Sequence, residues 1–345
     1  MIDIVMEDFK ALDMQQERLL LLDQRLLPVR QETFVCTSSE DVRRAIRDMV
    51  VRGAPAIGGA AGYGVYFAAK EAEGDRNKFD ALCSRLASAR PTAVNLSWAV
   101  ERVRTAVLES GLDPLAARRE ADAIVSQDIA MNLKLSEYGN EVIRPGASVL
   151  TLCNAGALAT CGWGTALGVI KYAHQSGKNI RVYADETRPR LQGARLTAWE
   201  LARAGIPATL IADSTAASLI RGGKIDCVIL GADRITAQGD VANKLGTFAL
   251  SVICRHYGVP FYSAAPTSTI DFSIRKGEDI PIEERDSSEI TYIEGVQVAA
   301  CGVGVYNPAF DVTPHQNITG IITECGIIRE PYDVNLEKLR LELGR

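Results

Sequence analysis

Between residues 148 and 265, short apolar, β-branched runs recur along the chain, and stretches with helical spacing separate them. SVLTLC (148–153), IRVYAD (180–185), PATLIAD (207–213), CVILGAD (227–233) and PFYSAA (260–265) read as strands. RLTAWELARAG, TAASLIRGG and VANKLGTFALSVICRHYG read as helices between them. Strand–helix alternation of this kind predicts a parallel, doubly wound sheet, because right-handed crossovers lay helices on both faces. Before residue 140 the pattern is mostly helical. TSSEDVRRAIRDMVVRG offers cap hydroxyls at Ser38 and Ser39, apolar positions at Val42, Ile46, Met49 and Val50, and a stop at Gly53. APAIGGAAGYGVYFAAKEA is rich in small residues and suits a tightly packed helix; RPTAVNLSWAVERVRTAVLESG and DPLAARREADAIVSQDIAMNLKL are amphipathic. Residues 22–36 are ambiguous, with a short hairpin as one reading. The expected architecture is an N-terminal mostly α-helical domain over 1–140, then a Rossmann-like α/β catalytic domain over 141–345.

In doubly wound sheets the site lies beyond the carboxyl ends of the strands. The residues falling there are Cys153-Asn154, Asp185-Glu186, Asp213-Ser214, Asp233-Arg234 and Ala265-Pro266-Thr267, a thiol with several carboxylates and hydroxyls. GWGTALG (162–168) loosely matches a dinucleotide fingerprint, with Asp185 at about the distance of a ribose-binding acid. That fingerprint needs its first glycine in the turn directly after the strand. Here NAGALAT intervenes, which places Gly162 and Gly164 inside a helix and argues against a nicotinamide cofactor.

Three stretches suit an anion. VVRGAPAIG sets Arg52, Gly53 and Ala54 at a proline-started helix, joining a guanidinium to N–H groups at a helix N-terminus. Arg90 before Pro91 repeats the arrangement, and GDVANKLGT puts Asn243 and Lys244 in a first helical turn. Each alone is an ordinary surface feature; together they suit one phosphate. Asp233 ends the most apolar strand, where burial would raise its pKa and keep it protonated. Its competing role is an N-cap or a salt bridge with Arg234. Asp213 and Asp240 read as caps, and Asp185, Glu186 and Arg188 as an ion-pair network under Gln192. Cys153, beside helix-start N–H groups from Asn154 to Gly156, can hold or relay a proton, whereas Cys161 reads as a small core residue two helical turns on.

Composition narrows the partners. A net charge of −5 argues against nucleic acid or anionic membrane as a general partner, while leaving room for one local phosphate pocket. No apolar stretch approaches the ~20 residues of a membrane helix, and MIDIVMEDFK has no apolar signal core. The 8 cysteines are scattered without a CxxC, as befits reduced thiols in a cytoplasm. The 3 histidines are far apart, so no structural metal is expected.

Taken in order, VRGAPAIG, RPTAVNLSWA, TLCNAG, ETRPRLQGARLTAWEL, GADRI, QGDVANKLGT, IPIEERD, NPAFDVTP and ITGIITE closely resemble the methylthioribose-1-phosphate isomerase family of methionine salvage. The resemblance runs from about residue 45 to 330; Gln238 stands where the family usually has Asn in an NGD tripeptide. It implies conversion of 5-methylthioribose 1-phosphate to 5-methylthioribulose 1-phosphate, with Asp233 as proton donor and Cys153 as partner in hydrogen transfer. It further implies that Arg52, Gly53, Ala54, Arg90, Gln192, Asn243 and Lys244 bind substrate, chiefly its phosphate. No metal or organic cofactor is implied, and a homodimer is the family expectation. The rival readings are an isomerase of 5-deoxyribose 1-phosphate or ribose 1,5-bisphosphate, a non-catalytic relative of translation-initiation exchange-factor subunits, and the dehydrogenase already argued against. An apolar wall for a methylthio group would come from residues such as Tyr63, Tyr66 and Trp98.

Overall fold

The computed structural model describes residues 4–90 and 94–344. It divides into two compact units, one formed by residues 5–133 with 155–164, the other by 134–154 and 165–344 with Ile4.

The first unit opens with an antiparallel sheet of β1 (Leu12–Gln15), β2 (Arg18–Leu22) and β3 (Thr33–Cys36). Part of the ambiguous 22–36 segment is therefore strand, and its partner hairpin lies earlier, in LDMQ and RLLLL. The helices follow as α1 (Ser39–Arg47), α2 (Ala54–Ala72), α3 (Arg76–Ala87), α4 (Val94–Glu109) and α5 (Pro114–Asn140), the last ending in the other unit. Ser38 caps α1 by accepting the Asp41 N–H, and Asp75 caps α3 by accepting the N–H groups of Asn77 and Lys78. Helix α2 is buried along nearly its whole length, which its glycines and alanines allow: a Cβ on Gly62 would stand 3.2 Å from that of Ala121. Tyr63 and Tyr66 belong to this core, with the Tyr63 hydroxyl donating to Asp122 at 2.7 Å. Neither is a free wall for a ligand; Trp98 is half exposed and stacked by Arg102 at 5.3 Å.

The second unit carries β4 (Ser148–Thr151), α6 (Ala166–Gln175), β5 (Arg181–Asp185), a π-helical turn (Gly193–Thr197) running into α7 (Ala198–Arg203), β6 (Ala208–Ile211), α8 (Thr215–Arg221) and β7 (Cys227–Leu230). Then come β8 (Arg234–Thr236), β9 (Val241–Lys244), α9 (Thr247–Tyr257), β10 (Phe261–Ala264) and β11 (Ile270–Asp271). An excursion holds α10 (Ser288–Thr291), β12 (Tyr292–Ile293) and β13 (Val296–Gln297). The chain closes with β14 (Phe310–Thr313), β15 (Gly320–Thr323), β16 (Gly326–Ile328) and α11 (Tyr332–Glu342).

The main sheet has the order β16-β15-β10-β7-β4-β5-β6. All pairings in it are parallel except β15 with β16. From β4 the chain winds outward one way through β5 and β6, then returns to build β7, β10 and β15 on the other side. That reversal between β4 and β7 is the topological switch point of a doubly wound sheet, where such folds bind ligands. The five strands read from sequence are all present, and the α/β class holds.

Two sequence expectations fail locally. VANKLGTFALSVICRHYG is not one helix: Val241–Lys244 forms β9, paired with β8 and β14, and α9 begins only at Thr247. Gly246, at φ 105, makes the break between them. The run 152–165 is not helical either, since α6 starts at Ala166. Gly164, at φ 99, sits in that loop, where a Cβ on it would stand 2.6 Å from the Gly156 Cα. The glycines thus serve a tight loop crossing and not a helix, and the dinucleotide fingerprint is equally ruled out by their position.

Candidate active site

The sequence-marked residues divide between the units: Arg52, Gly53, Ala54 and Arg90 in the first, Cys153, Gln192, Asp233, Asn243 and Lys244 in the second.

In the first unit, Arg52 and Gly53 are half-buried at the mouth of α2. Gly53 takes φ 88, and a Cβ there would lie 2.3 Å from the Ala159 carbonyl oxygen, so only glycine fits. The first intrahelical bond runs from Ile57 N–H to Gly53 O at 2.9 Å, which leaves the Gly53 and Ala54 N–H groups ahead of the helical ladder. The Ala56 N–H donates to Ala159 O at 3.2 Å. What remains is an N-terminal turn preceded in the chain by Arg52, suited to an anion. Arg90 is half-buried on the bend after α3, and the Pro91 helix start expected behind it lies outside the described residues. Cys161 is a core residue as expected, although in a loop: its N–H donates to the buried Asp128 carboxylate at 2.7 Å. Burial pushes Asp128 up to about 6 and raises the Cys161 thiol far above its ordinary value.

In the second unit, Cys153 follows β4 and Asp233 follows β7, adjacent parallel strands with Leu150 opposite Val228. The two residues therefore flank the switch point. Cys153 is half-buried and held at φ 65, a left-handed conformation that costs a non-glycine residue about 1–3 kcal/mol and persists only under outside constraint. The constraint is visible. Thr187 Oγ1 accepts the Cys153 N–H at 2.8 Å, and Thr197 Oγ1 donates to the Cys153 carbonyl at 2.5 Å. Asn154 beside it donates to Glu200 at 2.8 Å, and Glu200 faces Lys171 at 3.6 Å, both nearly free of solvent contact. The thiol therefore projects from a turn clamped on each side, not from a helix N-terminus.

Asp233 is exposed, which corrects the expectation of burial; its N–H donates to Ala242 O at 2.9 Å and fixes it to β9. Arg234 pairs with Asp271 at 3.6 Å. Asn243 and Lys244 end β9, and their basic helix start is a second correction. The N–H groups of Gly246 and Phe248 at the start of α9 are already held by Asp311, at 2.7 and 3.0 Å. Burial raises Asp311 despite those bonds. Lys244 Nζ donates to Ala309 O at 2.7 Å and lies 4.7 Å above the Phe310 ring. Gly246 approaches Leu152, which ties the end of β9 to the turn bearing Cys153.

Gln192 is half-buried, with its Oε1 sealed from solvent and unpartnered. The ion-pair network expected beneath it is absent. The Arg188 guanidinium donates to the carbonyls of Pro189 and Ile290, and Asp213 takes the N–H groups of Thr187 and Arg188 at 2.7 and 2.8 Å. Asp213 is thus a turn brace rather than a helix cap. Asp240 likewise braces, accepting from the N–H groups of Gly277 and His315. Sequence reasoning gave no role to Thr187, Gly193 or Thr197, although all lie in the ETRPRLQGARLTAWEL stretch that carries the family resemblance.

The Initiation factor 2 subunit family model matches residues 50–330. A methylthioribose-1-phosphate isomerase of Thermoanaerobacter sp. (strain X514) is 57% identical over 97% of this chain and 100% of that protein. Among solved structures, 5-methylthioribose 1-phosphate isomerase from Pyrococcus horikoshii OT3 superimposes with a TM-score of 0.92 at 43% identity, covering 98% of this chain and 97% of that one. A structure named translation initiation factor eIF-2B, subunit delta, from A. fulgidus reaches 0.87 at 44% identity, covering 96% and 99%. The chain belongs to the Initiation factor 2 subunit family, in its methylthioribose-1-phosphate isomerase branch.

Proposed function

We propose that this chain converts 5-methylthioribose 1-phosphate to 5-methylthioribulose 1-phosphate, with Asp233 as proton donor and Cys153 as partner in moving hydrogen from C2 to C1. The observation that carries the reading is the full-length identity to isomerases, joined to a thiol and a carboxylate flanking the sheet's switch point. Phosphorylation of O1 prevents the sugar ring from opening as an ordinary hemiacetal. An acid must therefore protonate the ring oxygen before hydrogen can transfer. Arg52, Gly53, Ala54, Arg90, Gln192, Asn243 and Lys244 hold the substrate, chiefly through its phosphate, whose remote binding energy positions C1 and C2. The enzyme acts as a cytoplasmic homodimer in methionine salvage.

Serine at position 153 keeps the clamped backbone, because both clamping bonds reach main-chain atoms. It replaces the thiol with a hydroxyl, a far weaker acid and a poorer proton carrier. For Cys153→Ser, steady-state kinetics should show kcat lower by roughly 100-fold or more with an unchanged melting temperature. An undiminished kcat would reduce Cys153 to a packing residue.

The name carried by the A. fulgidus structure keeps a second reading in view, a binding module without turnover. A coupled assay offering methylthioribose 1-phosphate, 5-deoxyribose 1-phosphate and ribose 1,5-bisphosphate separates the cases. The methylthio sugar should be isomerised with the highest kcat/KM. Turnover of none of the three sinks the enzyme reading, and preference for the bisphosphate sinks the substrate.

A further inference from the structure

Asp185 closes β5 with 2% of its surface exposed, and its Oδ1 is sealed from solvent without a hydrogen-bond donor. An ionised carboxylate in that state is among the costliest groups a fold can bury. No cation offsets it: the charges that act on it are the carboxylates of Asp213, after β6, and of its chain neighbour Glu186. Arg188 spends its guanidinium on two carbonyls. Among the other titratable groups of this unit are the Cys153 thiol and the Glu200–Lys171 ion pair, in which Glu200 also accepts from Asn154. Asp213 has two backbone donors and Asp185 has none, so nothing at its own site favours the charged form of Asp185. Burial and the two like charges push it up to about 8.

What Asp185 supports is the turn that holds Cys153. Thr187 Oγ1, which accepts the Cys153 N–H, donates to the Asp185 carbonyl at 3.0 Å. Gly193 packs against the same carbonyl, and Thr197, four residues on, grips the Cys153 carbonyl. Thr187 and Leu191 share the left-handed conformation of Cys153, at φ 65 and 56. The thiol's position is therefore set by residues 185–197 and not by local backbone preference.

We propose that Asp185 is a positioning residue for Cys153, and that its side chain must stay protonated for the 186–197 turn to hold the thiol in place. The proposal rests on Cys153 acting in the isomerisation. Loss of the proton sets a buried negative charge within reach of the half-buried Asp213, and Asp213 carries the N–H groups of the turn itself. Misplacement of the thiol lowers kcat and leaves KM little changed, because the phosphate ligands lie outside this turn except for Gln192.

The test compares the pH profiles of kcat and KM for wild type and Asp185→Asn, with methylthioribose 1-phosphate as substrate. Asparagine keeps the shape and is neutral at every pH. Wild type should lose kcat about tenfold per pH unit above its alkaline midpoint. Asp185→Asn should keep most of the neutral-pH kcat and lose that decline. A variant profile with the wild-type midpoint assigns the decline to the Cys153 thiol and overturns the proposal, as does a folded variant inactive at neutral pH. Should the variant fail to fold, infrared titration of wild type decides. A carbonyl band from a buried protonated carboxyl should be present at neutral pH and bleach in step with kcat; its absence overturns the proposal. If wild type turns over no substrate, the isomerase reading fails, and the infrared titration alone still reports whether Asp185 holds its proton.

Discussion

Replacing Asp233 with Asn is expected to lower kcat by roughly 100- to 10,000-fold, the range a positioned general acid supplies. The KM for methylthioribose 1-phosphate should move little, because the phosphate is assigned to other residues. The carboxyl sits on the short turn after β7, across the switch point from Cys153, and its main chain is anchored by the bond to Ala242. Asparagine preserves that anchor, which uses only backbone atoms. Because Asp233 is exposed, the substitution should also leave stability within about 0.5 kcal/mol of wild type. A catalytic loss with an unchanged denaturation midpoint is then a loss of chemistry and not of folding. The exposure matters to the mechanism as well. On the proposed role, the bound sugar displaces water from around this exposed residue before the proton moves. Turnover at the wild-type rate in Asp233→Asn would remove it from the reaction.

The sheet was legible because each buried strand is a short apolar run, and the residues just past those runs are the polar ones. That pattern alone located Cys153 and Asp233 at strand ends. It failed wherever a long-range partner decides the local structure. VANK has the spacing of a helix start, but its backbone pairs with β14 about 70 residues later, a choice no local propensity records. The loop at 152–165 reads as helix from its alanines, yet the backbone crossing of Gly156 and Gly164 overrides that propensity. Charge patterning misled in the same way. Asp185, Glu186 and Arg188 look like an ion-pair network in one dimension; in three, the arginine is taken by carbonyls and the buried Asp185 carboxyl is left without a cation. Burial of Asp233 was inferred from the strand before it, although the turn between them carries the side chain out to solvent. The clamp on Cys153 had no separate sequence signal at all, because its threonines act on main-chain atoms.

Gly193→Ala should be the most damaging single methyl in the catalytic unit. A Cβ at this position would stand 1.7 Å from the Asp185 carbonyl oxygen, 2.9 Å from its carbonyl carbon and 3.0 Å from Thr187 Oγ1. The first two are backbone atoms, so no rotamer change relieves the clash. Nor can the segment simply swing away: Ala194 N–H donates to Glu186 O at 3.2 Å, and Leu191 and Arg195 N–H groups bond within the turn at 2.7 and 2.8 Å. Overpacking against rigid neighbours should cost about 3 kcal/mol or more, seen as a lower denaturation midpoint. Activity should fall further than stability explains. The only relief is to part Asp185 and Thr187 from the π-helical turn, and these two segments grip Cys153 from opposite sides, Thr187 at its N–H and Thr197 at its carbonyl. Separating them releases the left-handed turn and the thiol with it. Gly304→Ala is the control, since a Cβ there meets no atom within 4 Å, and it should change neither quantity. If Gly193→Ala instead kept both the midpoint and the kcat of wild type, the close approach to Asp185 would not exist in solution, and the clamp built on it would have no support.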